Sequence, residues 1–312
     1  MTNYVKICIN LKKKVVVGAG NTMIDKNMPI ILLTLAESSP NEFALIFSMS
    51  HVIADGHTYY NILNMLKPGT EVRSLNAIRI MSFSERSKDA YGRKSLEWID
   101  TLPASLLMMR SMMCNSTAKI YAYYLDDDKI AKAKKEGIKN NSNVKYVTTN
   151  DILTSGFFNV CRTRIGVMGF DCRDKGLDDI TSELAGNYVT SLVMDPEVFG
   201  TPASLREMYT PGVPYITTKM PLPGCCCGNG RTAMVTSWSA FATGLITLDG
   251  CEMVIHLPIA DSSQISWDQM IPFAAGNGKK GVICWTVSTD DAGLKEALPL
   301  GEAVSQELFP SN

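Results

Sequence analysis

Short apolar runs alternate with polar turns in the N-terminal part of the chain. Strands are predicted where these runs occur, at residues 4–9, 14–17, 29–36 and 43–50. The last two runs are joined by Glu37-Ser-Ser-Pro-Asn-Glu42, which has the composition of a turn. They therefore predict an antiparallel hairpin with buried strands. After Asp55-Gly56 the apolar residues recur at helical spacing, which predicts a helix over residues 57–66.

Strand and helix patterns continue through the rest of the chain. Strands are predicted at residues 119–125, 165–172, 188–194, 233–238, 253–257 and 281–287. Helices are predicted at residues 104–113, 126–136, 152–161 and 202–209, and after Asp290 or Asp291. Residues 137–143 form the most linker-like stretch, so we divide the chain into an N-terminal half, 1–140, and a C-terminal half, 141–312. The pattern predicts a mixed α/β fold with a sheet in each half.

The composition is that of an ordinary globular protein. The 312 residues are 46 % hydrophobic and 20 % charged, which excludes bulk disorder and a collagen-like fibre. The net charge of −1 argues against a nucleic-acid partner, because phosphate binding requires clustered Lys and Arg. No apolar stretch reaches the roughly 18–20 residues of a membrane span. The N-terminus lacks the pattern of a signal peptide, so the expected location is cytoplasmic.

The nine cysteines predict free thiols rather than a disulfide framework. Their number is odd, and no Cys-x-x-Cys pair occurs. Cys225, Cys226 and Cys227 are adjacent in a glycine-rich loop, and adjacent thiols suit a soft metal. None of the three histidines is near them in sequence, so we expect no metal site.

The strongest chemical feature is the segment Ser50-His-Val-Ile-Ala-Asp-Gly-His57. An apolar strand leads into His51, and a histidine at a strand end presents its imidazole to a cavity while its backbone stays fixed. Histidine is the side chain that accepts and releases protons near neutral pH. Asp55 follows the turn and is better placed to hold the loop than to touch a substrate. A buried carboxylate at this position needs a cationic partner.

His51-x-x-x-Asp55-Gly56 resembles the HxxxDG motif of the chloramphenicol acetyltransferase-like superfamily. That superfamily includes plant-type BAHD acyltransferases and the condensation domains of nonribosomal peptide synthetases. Further segments are similar to the family in the same order along the chain: Val147–Arg164, Phe170-Asp-Cys-Arg173, Ala185-Gly-Asn-Tyr188, Val235-Thr-Ser-Trp238 and the C-terminal strand and helix. The resemblance spans most of the chain, from about Pro29 onward.

The resemblance implies two acetyltransferase-like halves and an acyl-transfer reaction. His51 would be the general base, and Asp55 would pair with Arg173 beside the turn at Gly56. The donors for the oxyanion or substrate would come from Thr236, Ser237, Trp238 and Asn187. The acyl donor would be acyl-CoA, used as a co-substrate, or a carrier-protein thioester, and no other cofactor is implied. The acceptor would be a small-molecule alcohol or amine.

Two departures from the family pattern keep an alternative open. Only fifty residues precede His51, so much of the opening of the first half is expected to be absent. The DFGWG motif of BAHD enzymes is replaced by Ser239-Ala-Phe-Ala-Thr-Gly-Leu. The alternative is a catalytically inactive relative that binds a small molecule or partner, or an incomplete fragment. A further expectation is a homo-oligomer that completes the first sheet, because open strand edges favour pairing.

Overall fold

The computed structural model describes residues 8–304 except positions 9, 12–13, 19, 24, 115–117, 140–142, 211, 225–230, 242–247 and 260–266. Within this part, helices and strands alternate as the sequence pattern predicts, so the predicted mixed α/β class is confirmed. The strands are β1 (Ile31–Ser39), β2 (Glu42–Met49), β3 (Lys119–Leu125), β4 (Ile165–Asp171), β5 (Val189–Met194), β6 (Thr232–Val235), β7 (Asp268–Gly276), β8 (Lys279–Thr286) and β9 (Leu300–Ala303).

The first helix precedes β1, and the other helices lie between strands along the chain. They are α1 (Gly20–Met23), α2 (Gly56–Asn64), α3 (Phe83–Tyr91), α4 (Arg93–Ile99), α5 (Leu102–Cys114), α6 (Asp127–Ile138), α7 (Thr149–Val160), α8 (Pro196–Phe199), α9 (Pro202–Glu207) and α10 (Asp291–Ala297). The sequence did not predict α3 and α4, whose polar residues show little apolar periodicity. None of the described helices has the length and apolar character needed to cross a membrane.

The predicted hairpin forms, but only one of its faces is covered. Strands β1 and β2 pair antiparallel, and no other described strand pairs with either of them. Ile46 and Ser48 are buried on the inner face, whereas Leu33 is 53 % and Leu35 is 67 % exposed on the outer face. The expectation of buried strands therefore holds for Ile46 and Ser48 and is wrong for Leu33 and Leu35. A homo-oligomer that completes this sheet stays a prediction.

The segment before the hairpin also differs from its prediction. Lys14 and Val15 are helical, so the predicted strand at residues 14–17 is wrong. Val17 instead contacts the hairpin through a hydrogen bond, which its N–H donates to Ser48 Oγ of β2 at 3.0 Å. Most of the strand predicted at residues 4–9 lies outside the described residues.

A seven-stranded sheet forms the centre of the molecule. Its strand order is β5-β4-β6-β7-β8-β3-β9, with β6 parallel to both β4 and β7 and the other pairs antiparallel. Strand β3 precedes the boundary predicted at residue 140, yet it pairs with β8 and β9 from the chain's C-terminal end. The sheet thus draws on both predicted halves, and the boundary at residue 140 stays a prediction.

Two strands, at residues 14–17 and 253–257, were placed wrongly by the sequence pattern, and β7 and β9 were missed. Residues 253–257 contain no strand, because His256 N–H donates to Ala275 O of β7 without a continuing ladder. Strand β7 itself contains Pro272 and ends in small residues, so its sequence does not show the apolar pattern that predicts a strand. Strand β9 has only four residues, too few for a periodicity to emerge.

Helix α7 supplies a large part of the core against the sheet. Leu153, Phe157 and Phe158 are each no more than 1 % exposed. They belong to one apolar cluster with residues from strands across the sheet, such as Met168, Leu192, Val235 and Cys284. Burial of this apolar surface is the main force that holds the helices on the sheet.

A capping box fixes the start of α7. Thr148 Oγ1 accepts from Asp151 N–H at 3.2 Å, and Asp151 Oδ2 accepts from Thr148 N–H at 2.7 Å. We predict that Thr148→Ala lowers the free energy of unfolding by about 1 kcal/mol, because an N-terminal N–H of the helix loses its acceptor. Urea denaturation measures the change. Thr148→Ser keeps the oxygen and is the matched control, so equal midpoints for the two variants would contradict the prediction.

Candidate active site

The turn that carries His51 joins β2 to α2. Asp55 is the N-cap of α2, and its carboxylate accepts from Thr58 N–H at 3.1 Å. Gly56 begins the helix, and a Cβ atom there would lie 3.2 Å from the ring of Phe241. The glycine therefore allows the segment after β6 to approach the first turn of α2.

His51 is an exposed residue of this turn. Asn187 holds the backbone of the turn: its Nδ2 donates to His51 O at 2.8 Å and to Val52 O at 3.3 Å. In the described structure Asn187 Oδ1 is buried and has no hydrogen-bond partner. The amide group therefore uses its donors on the turn and keeps an acceptor free.

Asp55 and Arg173 form a buried, bidentate ion pair. Arg173 Nη1 lies 2.9 Å from Asp55 Oδ2, and Arg173 Nη2 lies 3.2 Å from Asp55 Oδ1. The two side chains are 0 % and 1 % exposed. Tyr188 N–H adds a donor at 2.9 Å and the Thr58 hydroxyl another at 3.2 Å. Fork-shaped pairing of this kind is the strongest arrangement of guanidinium and carboxylate.

These contacts determine the charge of the Asp55 carboxyl. Burial by itself raises its pKa, but the hydrogen bonds from Arg173, Tyr188 and Thr58, with the positive charge of Arg173, bring the pKa below its usual range. Asp55 is therefore a carboxylate whose lone pairs are already used. It has no free position from which to take a proton from a substrate.

Arg173 also binds the loop before β5. Its Nε donates to Leu184 O at 3.0 Å, and its Nη2 donates to Gly186 O at 3.1 Å. Its Nη1 donates in addition to Asp171 Oδ1 at 2.8 Å. One guanidinium thus connects α2, the end of β4 and the loop that carries Asn187.

Thr236, Ser237 and Trp238 follow β6 and run beside β7. Thr236 N–H donates to Met270 O at 3.1 Å, and Trp238 N–H donates to Pro272 O at 2.8 Å. The Ser237 hydroxyl lies 2.9 Å from Ser239 Oγ. The Trp238 ring packs against the cluster that Tyr60 and Leu63 of α2 form. The structure therefore places this segment against α2. Its role in binding an oxyanion stays a prediction.

Sequence reasoning missed two histidine environments. His57 lies in the first turn of α2, where its side chain is 18 % exposed and contacts Asp171 and Ser182 O. We expected His256 on a strand face, but it is half-buried outside any strand, and its Nδ1 lies 2.8 Å from Ala274 O. Burial lowers the pKa of His256, although the bond to Ala274 opposes the shift.

Three of the described thiols, Cys161, Cys172 and Cys284, are unsuited to nucleophilic chemistry, because burial raises their pKa. Cys8, Cys161, Cys172, Cys251 and Cys284 form no disulfide. Burial raises the pKa of Cys172 to about 12, which leaves it as an unreactive thiol at neutral pH. The described residues contain no group of three or more side chains able to hold a metal ion. Cys225, Cys226 and Cys227 lie outside the described residues, so the absence of a metal site stays a prediction.

Two crevices lie away from the His51 turn. One, of about 250 Å³, is lined by residues of α3, α4 and β5, including Ser87, Lys88 and Thr190. The other, of about 310 Å³, lies between α3 and Pro214. Neither is lined by a described residue that the sequence assigned to the site. The predicted cavity at His51 therefore stays a prediction.

Comparison with known proteins identifies the fold. No profile of a protein family matches the chain, and no curated protein matches it. The structure is similar to the epimerization domain from the third module of tyrocidine synthetase B, with a TM-score of 0.50 and 9 % identity, covering 95 % of this chain and 73 % of that one. It is also similar to vinorine synthase, with a TM-score of 0.51 and 14 % identity, covering 94 % of this chain and 70 % of that one. The chain therefore shares the fold of these two proteins.

The buried ion pair yields a prediction about stability. Asp55→Ala should lower the free energy of unfolding by about 3–5 kcal/mol, because Arg173 is left buried without its partner. Chemical denaturation measures the loss. Because the folded-state pKa of Asp55 lies below its unfolded value, this contribution is complete above about pH 4 and is lost as the pH falls through the folded-state pKa.

The double variant Asp55→Ala/Arg173→Ala separates this effect from a simple loss of packing. It should be less destabilised than the sum of the single variants, because neither charge is then left alone. Asp55→Asn is the matched control, since it removes the charge and keeps the shape. An Asp55→Ala protein with an unchanged Tm would contradict the structural role.

His256 gives a second prediction, about pH. Its pKa is lower in the folded state than in the unfolded state, so the unfolded chain takes up a proton first as the pH falls through about 6.5. The free energy of unfolding of wild type minus that of His256→Gln should therefore decrease between about pH 8 and about pH 5.5. Denaturation at both pH values measures it. A difference that stays constant would show that His256 does not contribute in this way.

Proposed function

We propose that the protein is an acyltransferase that moves an acyl group from an acyl thioester to the hydroxyl or amine of a small molecule, with His51 as the general base. One observation carries the proposal: an exposed imidazole stands on a turn clamped by Asn187, next to a carboxylate fully engaged by Arg173. The acetyltransferase-like fold supports the same reaction class. Acyl-CoA is the first choice of donor, and a carrier-protein thioester is the second.

The proposed reaction requires one proton carrier and one donor to an oxyanion. A ring nitrogen of His51 takes the proton from the acceptor O–H or N–H as the acceptor atom bonds to the thioester carbonyl carbon. The carbonyl electron pair moves onto oxygen and forms a tetrahedral oxyanion. When this intermediate collapses, the C–S bond breaks, and the leaving thiolate takes the proton from His51. Free thiol and the acylated acceptor are the products.

The hydrogen-bond network around Asp55 supports the proposal because it holds the backbone of the turn that carries His51. The turn backbone is bound by Asn187, and α2 is bound through Asp55 and Arg173. A fixed base acts without reorganisation when the acceptor arrives. The side chains of Thr236, Ser237 and Trp238 are the proposed donors to the oxyanion, because hydroxyl and indole groups can donate to a developing negative charge. Asn187 is a proposed substrate-binding residue through its Oδ1, which has no partner in the described structure.

A binding protein without turnover is the second candidate. The replacement of the DFGWG motif of BAHD enzymes by Ser239-Ala-Phe-Ala-Thr-Gly-Leu favours this alternative, because the chain departs there from the pattern of the active enzymes. The two candidates differ in one observable property: only the enzyme releases free thiol from an acyl thioester.

The first test compares variants at position 51. His51→Ala and His51→Gln should each reduce the rate of CoA thiol release, measured with a panel of acyl-CoA donors and small acceptors, by roughly 10²–10⁴-fold. Both should keep the wild-type Tm, because the His51 side chain is exposed. Equal turnover by wild type and His51→Ala would remove the assignment of the base.

The second test separates turnover from binding. A ligand present at about a hundred times its Kd stabilises the folded protein by about 2.7 kcal/mol, so CoA and acyl-CoA should raise the Tm of both wild type and His51→Ala. The expected result for the enzyme is a Tm rise together with thiol release. A Tm rise with no release from any donor would favour the binding protein instead.

A further inference from the structure

A polar crevice, called here the β5 crevice, runs along the outer edge of β5. This strand ends the seven-stranded sheet and, among the described strands, pairs only with β4. Thr190 and Ser191 of β5 both line the crevice, which holds about 250 Å³. Because consecutive residues of a strand point to opposite faces of the sheet, a space that meets both residues lies at the edge of the strand. An edge strand also offers backbone N–H and C=O groups that no neighbouring strand uses.

Helices α3 and α4 supply the rest of the lining, with two opposite charges and an apolar patch. Lys88 of α3 brings a positive charge, and Asp100, the C-cap of α4, brings a negative charge. No ion pair joins these two side chains in the described structure. Leu96 and Ile99 of α4 form the apolar patch. The β5 crevice therefore presents both signs of charge without neutralising them against each other.

The polar groups on one side of the crevice have their bonding capacity available. In the part of the chain that the structure describes, the Asp100 carboxylate has no hydrogen-bond or ion-pair partner, and neither has the hydroxyl of Thr190 or Ser191. A carboxylate only accepts hydrogen bonds, whereas a hydroxyl both donates and accepts. An ammonium group, which has three N–H donors and a positive charge, is complementary to these three side chains.

Lys88 can bind a ligand without leaving its present partner alone. Its Nζ lies 3.4 Å from Glu85 Oε2, and the two side chains are 25 % and 63 % exposed. Such an exposed ion pair contributes little to stability. Glu85 has a second partner, because Arg93 Nη1 donates to its Oε1 at 2.5 Å. Lys88 is therefore available to an anionic group that enters the crevice.

The crevice between α3 and Pro214 offers a comparison, because its charges are already used. Its lining includes Arg86 and Asp89. Arg86 Nη1 lies 2.6 Å from Asp179 Oδ2, and Asp89 Oδ1 accepts from Arg93 Nε at 2.7 Å. A charged ligand would have to displace these partners there, whereas the β5 crevice presents an unpaired carboxylate.

The size of the β5 crevice limits the ligand to a small molecule. Water takes about 30 Å³ per molecule, so the volume of about 250 Å³ has room for roughly eight non-hydrogen atoms. An α-amino acid with an aliphatic side chain has this size and carries one ammonium and one carboxylate group. Its side chain is complementary to the apolar patch of Leu96 and Ile99.

We propose that the β5 crevice binds a free α-amino acid. The ammonium group lies at Asp100 and the hydroxyls of β5, the carboxylate group lies at Lys88, and the aliphatic side chain packs on the apolar patch. The site does not depend on the proposed acyl transfer, because His51 is not among the residues that line it.

The first test is a titration of the whole chain with L-leucine, followed through ¹H–¹⁵N chemical shifts. L-leucine at millimolar concentration should shift the amide signals of residues 84–100 and 190–191. Two analogues each lack one charge: 3-methylbutylamine has no carboxylate group, and 4-methylpentanoate has no ammonium group. Each should bind roughly tenfold more weakly or worse, because a hydrogen bond to a charged group is lost. Glycerol, which offers hydroxyl groups alone, should not compete with L-leucine.

Two charge variants assign each end of the amino acid to a side chain. Asp100→Asn should weaken L-leucine binding roughly tenfold and leave the affinity for 4-methylpentanoate unchanged, because that analogue has no ammonium group. Lys88→Gln should weaken L-leucine binding in the same way and leave the affinity for 3-methylbutylamine unchanged. Lys94→Gln and Asp178→Asn change exposed charges outside the crevice and are the matched controls, which should bind L-leucine as wild type does.

Several results would overturn the proposal. They are the absence of L-leucine binding at millimolar concentration, equal affinity for either analogue or for glycerol, and an affinity for L-leucine that neither Asp100→Asn nor Lys88→Gln changes. His51→Ala separates this site from the proposed active site and should bind L-leucine as wild type does. Loss of L-leucine binding in His51→Ala would place the amino acid at the His51 turn and refute the crevice. Absence of thiol release from acyl thioesters would refute the proposed function and leave this test unchanged.

Discussion

The structure depends on one buried guanidinium–carboxylate pair. Arg173 and Asp55 come from segments 118 residues apart, and both side chains are almost fully removed from solvent. A charge in such a place is tolerated only when it is paired and its remaining hydrogen-bonding groups are satisfied. That requirement brings α2, the end of β4 and the loop before β5 to one point, since each contributes a partner to this pair.

This pair also decides which group is available for chemistry. The carboxylate oxygens of Asp55 accept hydrogen bonds from Arg173, Tyr188 and Thr58. The proposed function therefore assigns the uptake of a proton to the neighbouring His51. The fold alone does not settle the reaction, since an epimerization domain and vinorine synthase share it. The proposed acyl transfer therefore depends on the side chains around His51 and on the hydrogen bonds that Asn187 makes to the backbone of the turn.

Local features of the fold could be predicted from the sequence. The hairpin of β1 and β2, the helix that follows Asp55-Gly56, and the helix that begins after Asp290 follow from the spacing of apolar residues and from turn chemistry. The sequence failed at β7, where Pro272 and small residues conceal a central strand, and at residues 253–257, where an alternating pattern forms no ladder. In both cases the neighbours in the sheet, which a local pattern does not contain, decided the outcome.

By itself the sequence determined the mixed α/β class, the turn that presents His51 and the need of Asp55 for a cation, because these follow from short-range spacing and from the cost of burying a charge. Only the tertiary structure decided that His57 meets Ser182 from 125 positions away, that Asn187 clamps the turn, and that one face of the hairpin stays open. Such contacts join segments distant in the chain, and the free energy that selects them comes from packing the whole molecule rather than from any local preference.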